Sequence, residues 1–121
     1  MNKAQALYQF WSGFGLPAYE ENIVPVGATM PYITYQVETD SIENVVPIAG
    51  SLWYRTPSWK DADLKAEEIG DYVRHMYPPT IKIDGGRMYI VKGTPFAQHM
   101  SDTDNMVRRI YINLNAEYLT E

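Results

Sequence analysis

The stretch that decides the fold is residues 106–119, which read MVRRIYINLNAEYL. Its apolar side chains fall on every second position, and the positions between them are polar. They are Ile110, Ile112, Leu114, Ala116 and Tyr118 on one side, and Arg109, Tyr111, Asn113, Asn115 and Glu117 on the other. A period of two indicates a strand with one buried and one exposed face. This strand is long for a small domain, so we expect it to outrun its own sheet and to contact another molecule, for example by strand addition.

The rest of the chain supplies further strands and two helices. Residues 2–12 predict an amphipathic helix with Ala4, Leu7, Tyr8 and Trp11 on its apolar side, and residues 14–30 predict a loop. Strands are predicted over 32–37 and 48–56. A second helix starts near Ser58, runs to about Met76 and buries a stripe of core residues. That stripe consists of Ala62, Ala66, Ile69, Val73 and Met76.

After the second helix, Pro78 and Pro79 precede a hairpin over 80–92 with its turn at Gly85–Gly86. Residues 93–95 read Gly-Thr-Pro and predict a break, and 96–105 predict a polar loop before the last strand. The element order is α-β-β-α-β-β-β. We therefore predict an α+β fold, a mostly antiparallel sheet of four to five strands with two helices packed on it. Residues 1–121 are expected to form a single domain.

Composition excludes several classes of function. The formal net charge is −5 and no basic run exceeds Arg108–Arg109, which disfavours tight binding to nucleic acid. There is no cysteine, so disulfides and thiolate metal sites are excluded. No apolar run reaches membrane-spanning length, and the first residues lack a signal-peptide core. We expect assembly in a cytoplasm, without a membrane.

The motifs that could carry chemistry are weak. His99 lies near Asp102 and Asp104, but Ser-Asp-Thr-Asp is common turn chemistry and a metal needs more converging ligands. His75 is expected near a helix end, where a cation is favoured. Asp84-Gly85-Gly86 lacks the lysine of a phosphate loop. The sequence therefore predicts no catalytic residue, no metal and no cofactor.

Two surface features are candidates for contact with other molecules. Acidic residues lie in two predicted loops, Glu38, Asp40 and Glu43 in one, and Asp102 and Asp104 in the other. They form an acidic rim or lumen if both loops lie at the same end of the sheet, and otherwise they are solvated turns. Trp53 and Arg55 share a strand face, and both residue types are favoured at interfaces. Equally, Trp53 can lie beneath the second helix.

Six segments, in this order, resemble the small tail-terminator or tail-completion proteins of long-tailed bacteriophages of Gram-positive bacteria. They span most of the chain and are ALYQFW at 6–11, LPAY at 16–19, MPYITY at 30–35, SLWYR at 51–55, GTPFAQ at 93–98 and RRIY at 108–111. None of them is a catalytic signature.

The resemblance implies a structural virion protein of the tail or neck. Such proteins form a six-membered ring at the head-proximal end of the tail tube, stop tube polymerisation and join the tail to the head connector or stopper protein. The expected partners are other copies of the chain, the tail tube protein and the connector, and genomic DNA passes through without specific binding.

Residue type predicts the subunit interface, since the family assigns no roles to particular positions. The predicted interface residues are Trp53, Arg55, Arg109, Tyr111, Asn113 and Asn115. Two other functions stay open from the sequence. One is a connector or stopper protein on the head side, and the other is a small cytoplasmic ligand-binding α+β domain, which predicts a closed apolar pocket with convergent polar groups.

Overall fold

The computed structural model describes residues 1–37, 45–73 and 79–120 and contains two helices and six strands in these ranges. The elements are α1 Lys3–Ser12, β1 Ala18–Glu20, β2 Tyr32–Tyr35, β3 Val45–Arg55, α2 Lys60–Val73, β4 Thr80–Ile83, β5 Gly86–Met100 and β6 Val107–Thr120. The α+β class and the two helices agree with the sequence prediction. The sheet differs from it, because it is mixed and has six strands where four to five were predicted.

The strand order is β1-β2-β3-β6-β5-β4, and every neighbouring pair is antiparallel except β1 and β2. The additional strand is β1, which lies in a region predicted as a loop. It has three residues, too few for an alternating pattern to be visible. Its place is fixed by pairing with β2, including a bond of 2.8 Å from the Ile33 N–H to the Pro17 carbonyl.

The last strand lies inside the sheet. β6 pairs with β3 from Val107 to Glu117 and with β5 from Arg109 to Thr120, so both of its edges are occupied. The prediction that it outruns its sheet and adds to another subunit was therefore wrong. Its neighbours are also long, at 11 and 15 residues. The alternation itself is confirmed, since the alternate residues from Ile110 to Tyr118 are all buried.

The strand β5 continues through the predicted break. Its pairing with β6 shifts register between Lys92 and Ala97 and then resumes to Met100. Gly93 lies against β6 here, because a Cβ at this position would be only 2.9 Å from the Asn113 Cβ. Residues 96–100, predicted as a polar loop, are therefore strand. The irregular segment holds Pro95, as expected of proline in a sheet.

A capping box closes the start of helix α1. The side chain of Asn2 accepts a hydrogen bond from the backbone N–H of Gln5, and the side chain of Gln5 accepts one from the backbone N–H of Asn2. Its buried residues are Ala6, Leu7, Phe10 and Trp11. The predicted apolar side was wrong at two positions, since Ala4 is exposed and Tyr8 is 53% exposed. The buried side is set by Trp11, whose ring lies over Gly50 of β3, where a Cβ would be 2.7 Å from the ring.

Helix α2 begins at Lys60, whose N–H is accepted by the Ser58 hydroxyl at 3.1 Å. The predicted stripe of Ala62, Ala66, Ile69 and Val73 is buried. Met76, the predicted end, lies outside the described residues. Both helices contribute to one core cluster with the inner side chains of the sheet, so they cover a single face. The opposite face carries no helix in the described part of the chain.

Candidate assembly surface

The six predicted interface residues lie on the face of the sheet opposite the helices. Cross-strand pairing sets Trp53 beside Arg109, Ser51 beside Tyr111, and Pro47 beside Asn115. Arg55 and Asn113 follow at alternate positions of the same two strands. We call this surface the helix-free face. It consists of the side chains of β3 and β6 that point away from the helices, together with their neighbours on the same side of the sheet. Trp53 therefore lies on the opposite side of the sheet from α2, which decides between the two positions that the sequence left open.

Aromatic rings extend across this face in a row. The rings of Tyr19 and Tyr32 are 5.7 Å apart, those of Tyr32 and Trp53 are 6.4 Å apart, and the Arg109 guanidinium lies 4.7 Å from the Trp53 ring centre. Four neighbouring strands each contribute one member. A cation over a tryptophan face is attracted by the ring quadrupole. Sequence reasoning missed Tyr19 and Tyr32, because their place in the row depends on β1 and on the register of β2.

Hydrogen bonds hold this row in place. The Trp53 Nε1–H donates to the Thr34 hydroxyl at 2.8 Å, and the Arg109 Nε–H donates to the Ser51 hydroxyl at 3.1 Å. Thr34 and Ser51 are buried, although they lie on the face that no helix covers. The large side chains thus cover the polar groups beneath them and are fixed before any partner binds. Preorganisation of this kind lowers the entropic cost of association.

The other predicted interface residues differ in their environments. The Asn113 Nδ2–H donates to the Pro95 carbonyl at 2.9 Å, so its side chain ties β6 to the irregular part of β5. Tyr111 and Asn115 are half-buried on the same face. Replacing Arg109 and Asn113 together would remove the bonds to Ser51 and Pro95, so these two side chains stabilise the fold as well as forming part of the surface.

The acidic residues of the hairpin between β5 and β6 make turn contacts. Asp102 accepts from the Asp104 N–H, and Asp104 accepts from the Met106 N–H, each at 2.9 Å. Asp104 also pairs with Arg55 at 2.9 Å. The bonds from the Met106 N–H and from Arg55 hold the pKa of the Asp104 carboxyl below its ordinary value.

The other half of the predicted acidic rim, Glu38, Asp40 and Glu43, lies outside the described residues. The residue that follows this segment in the described part, Val45, begins β3. Asp104 pairs with Arg55 at the other end of the same strand.

His99 lies away from Asp102 and Asp104. Its ring stacks on Trp59 at 3.7 Å, and its Nε2 is 2.7 Å from a carboxylate oxygen of Asp63 on α2. These contacts attach the end of β5 to the helix. Within residues 1–37, 45–73 and 79–120, no three His, Cys, Asp or Glu side chains are grouped to hold a metal ion. His75 falls outside those ranges.

A groove of about 400 Å³ lies between α1, α2 and β4. Phe10, Phe14 and Tyr72 line it, and their rings contact one another with centres 5.3 to 6.1 Å apart. The polar side chains around it, Gln9 and Glu68, lie exposed on the helix surfaces. This groove lies where the two helices pack together, and its described lining does not provide the convergent polar groups that specific ligand binding needs.

Comparison with protein-family models, with curated proteins and with solved structures found no match to this chain. Neither of the two described helices has the length and apolarity required to cross a membrane. The helix-free face and the resemblance of the six sequence segments are the features of this chain that bear on its function.

Proposed function

We propose that the chain is a structural virion protein that forms a ring at the head-proximal end of a phage tail tube. The observation that carries this proposal is the helix-free face. Trp53, Arg109 and Tyr111 lie there side by side on β3 and β6, and bonds to Thr34 and Ser51 hold Trp53 and Arg109 in place. Tryptophan, tyrosine and arginine are the residue types that dominate the binding energy of protein interfaces.

Each subunit of a ring uses two different patches, because neighbouring copies contact each other head to tail. The ring closes when the rotation between neighbouring copies divides a full turn. A two-layer fold supplies such patches directly, since the sheet face and the helix layer point in opposite directions. The proposal is that the ring has six members and that the helix-free face is one side of the seam. The whole chain of 121 residues then serves as a single tail-terminator-like domain.

The charge of the chain supports the passage of DNA through such a ring. A formal charge of −5 disfavours retention of a phosphate backbone in the bore. The proposed partners are the tail tube protein below the ring and the connector or stopper protein above it. The protein then acts in the tail or neck of the virion, after assembly in the host cytoplasm, and uses no cofactor and no catalytic residue.

The experiment that tests this function is binding of the purified chain to tail tubes and, separately, to DNA-filled heads without tails. Both particles come from the phage or prophage whose genome encodes the chain. We expect binding at one end of the tubes and no further tube growth after binding. Binding to heads alone would instead assign the chain to the head-side connector.

The chain offers a matched pair of variants for this assay. Tyr111→Ala removes a ring from the helix-free face, and Tyr8→Ala removes an exposed ring from the outer side of α1. We expect Tyr111→Ala to weaken ring formation on tubes by about tenfold or more, since truncation of a tyrosine at an interface hot spot costs about 2 kcal/mol or more. Tyr8→Ala should behave as the unmodified chain. Equal effects of the two variants would argue against the helix-free face as the seam.

A further inference from the structure

The two most exposed large apolar side chains of the described residues lie in one loop. Val26 has a relative exposure of 107% and Ile23 of 67%, and both belong to residues 22–31 between β1 and β2. We call this segment the apolar loop. It carries no charged residue, and the sequence stays uncharged as far as residue 37. Apolar residues that are exposed singly are common, whereas two in one uncharged loop mark a surface for contact.

Backbone hydrogen bonds fix the shape of the apolar loop. The Ile23 N–H donates to the Glu20 carbonyl at 2.9 Å, and the Ala28 N–H donates to the Pro25 carbonyl at 3.1 Å. The second bond closes a type II turn around residues 26 and 27, in which Gly27 takes the required positive φ of 87°. The valine at the centre of this turn is therefore held in water by a defined backbone. A loop fixed in this way loses little entropy when a partner covers it.

The apolar loop is continuous with the proposed seam. It connects β1 to β2, the strands that carry Tyr19 and Tyr32 of the aromatic row on the helix-free face. These two strands also form one edge of the sheet. A neighbouring copy that sits on this edge of the helix-free face is therefore next to the loop as well.

The chain itself carries an apolar groove that suits such a loop. It is the groove between α1, α2 and β4 that is lined by Phe10, Phe14 and Tyr72, and we call it the helix groove. Tyr72 is 51% exposed, so aromatic surface remains open in the folded chain. The one charged side chain in the described lining, Glu68, is paired with Lys65 at 3.1 Å. An uncharged loop therefore covers this groove without leaving a buried charge unpaired. The apolar loop does not line the helix groove of its own chain, so a contact between them joins two copies.

We infer that the apolar loop of one copy docks in the helix groove of the next, with Ile23 and Val26 against the aromatic rings that line it. This inference rests on the proposed ring and names the second patch of its seam. The two patches differ, so the contact is head-to-tail, as ring closure requires. Filled and desolvated pockets of this kind are where interfaces gain most of their binding energy.

Site-directed crosslinking tests the inference, and the chain suits it because it has no cysteine of its own. Val26→Cys places a thiol in the loop, and Gln9→Cys places one at the helix groove, where Gln9 is exposed. The two variants are mixed on tail tubes, treated with a short bismaleimide and separated on a denaturing gel. A head-to-tail junction offers one position of each kind, so we expect covalent dimers from the mixture and none from either variant alone. In the control mixture Thr103→Cys, exposed between β5 and β6, replaces Gln9→Cys and should give no dimer.

A charge in the loop tests whether the contact contributes to assembly. Val26 is fully exposed, so Val26→Asp should leave the fold intact, which circular dichroism with thermal melting verifies. We expect about tenfold fewer capped tubes in electron micrographs, since the new carboxylate would be buried among aromatic rings without a partner. Ala4→Asp adds the same charge at an exposed apolar position outside both patches and should cap tubes as the unmodified chain does.

Each outcome is decisive. Capped tubes without a dimer between Val26→Cys and Gln9→Cys would overturn the inference and leave the proposed function standing. So would dimers from Val26→Cys alone, an equal yield from the control mixture, or normal capping by Val26→Asp. Loss of capping by Val26→Asp without the crosslink to the helix groove would mean that the loop binds another molecule, such as the tube protein, and would equally overturn it. Failure of the unmodified chain to bind tubes would instead refute the proposed function.

Discussion

Arg109 is the residue whose replacement reports most clearly on the helix-free face. Its Nε–H donates to the Ser51 hydroxyl at 3.1 Å, and its guanidinium lies 4.7 Å from the Trp53 ring centre. A hydrogen bond from a charged donor contributes about 1.5–3 kcal/mol, and we take the lower end because Arg109 is half-exposed. A cation–π contact at an exposed site adds about 0.5–1 kcal/mol. Arg109→Ala should therefore lower the free energy of unfolding by about 2–2.5 kcal/mol.

For a chain of this size, 1 kcal/mol corresponds to about 4 °C in the melting temperature, so we expect a fall of about 8–10 °C. Urea unfolding followed by circular dichroism measures the free energy directly. Asn115→Ala is the matched control, since Asn115 lies on the same strand face and its side chain makes no hydrogen bond to the described residues. It should change stability by less than about 0.5 kcal/mol.

A double-mutant cycle identifies the bond itself. In the Ser51→Ala background, Arg109→Ala should cost about 1 kcal/mol less than in the unmodified chain, because its acceptor is already gone. Arg109→Lys keeps the charge but not the planar fork, and its cost should fall between zero and that of Arg109→Ala. A loss below about 0.5 kcal/mol for Arg109→Ala, or zero coupling to Ser51, would refute the view that this face is preorganised.

Three further predictions concern the fold and its pH dependence. Gly50→Ala should cost about 2–3 kcal/mol in urea unfolding, because its Cβ would lie 2.7–2.9 Å from three ring atoms of the buried Trp11. Trp11→Phe should reduce that cost, and a neutral Gly50→Ala would contradict the packing. The pKa of Asp104 is lowered from 3.8, so its stabilising effect is present above that pH and is lost as the pH falls through the lowered value. The melting temperature of Asp104→Asn should thus differ from that of the unmodified chain near neutral pH and converge with it in acid; a difference that persists in acid would speak against this assignment. Burial raises the pKa of Tyr54 above 10.0. The contribution of Tyr54 to stability is therefore fully present below pH 10 and is lost as the pH rises through the raised pKa. Tyr54→Phe should lessen that alkaline loss in urea titrations, and an unchanged slope would count against the buried hydroxyl as its source.

Local sequence patterns predicted the buried side chains correctly in elements where buried and exposed positions follow one regular period. The alternation of β6 correctly predicted which side chains are buried, from Ile110 to Tyr118. The helical spacing of α2 did the same for Ala62 to Val73. In both elements the burial follows from one periodicity that runs through the whole element.

The errors arose where a distant part of the chain decides the local structure. In α1, the buried side follows from the fit of Trp11 over Gly50, which no local spacing reveals. In β5, the segment Gly-Thr-Pro has the composition of a break, yet pairing with β6 carries the strand past it to Met100. The short β1 exists because β2 offers it an edge. Each of these depends on tertiary contacts that override local preference.

The candidate surface was predicted in part for the same reasons. Alternation grouped Trp53 with Arg55 on β3 and Arg109 with Tyr111 on β6, but only the register between the two strands places both groups on one face. The row of rings depends in the same way on the register of β1 and β2. Asn113 was assigned to an interface from its residue type, whereas its side chain donates to the Pro95 carbonyl within the chain.

The most direct test of the proposed function is a three-dimensional reconstruction of tail-tube ends with the chain bound. The predicted result is one closed ring of six copies at the head-proximal end, with Trp53 and Arg109 of each copy buried against its neighbour. Twelve copies, an unclosed assembly, or a six-membered ring whose helix-free faces all point to solvent would contradict the account.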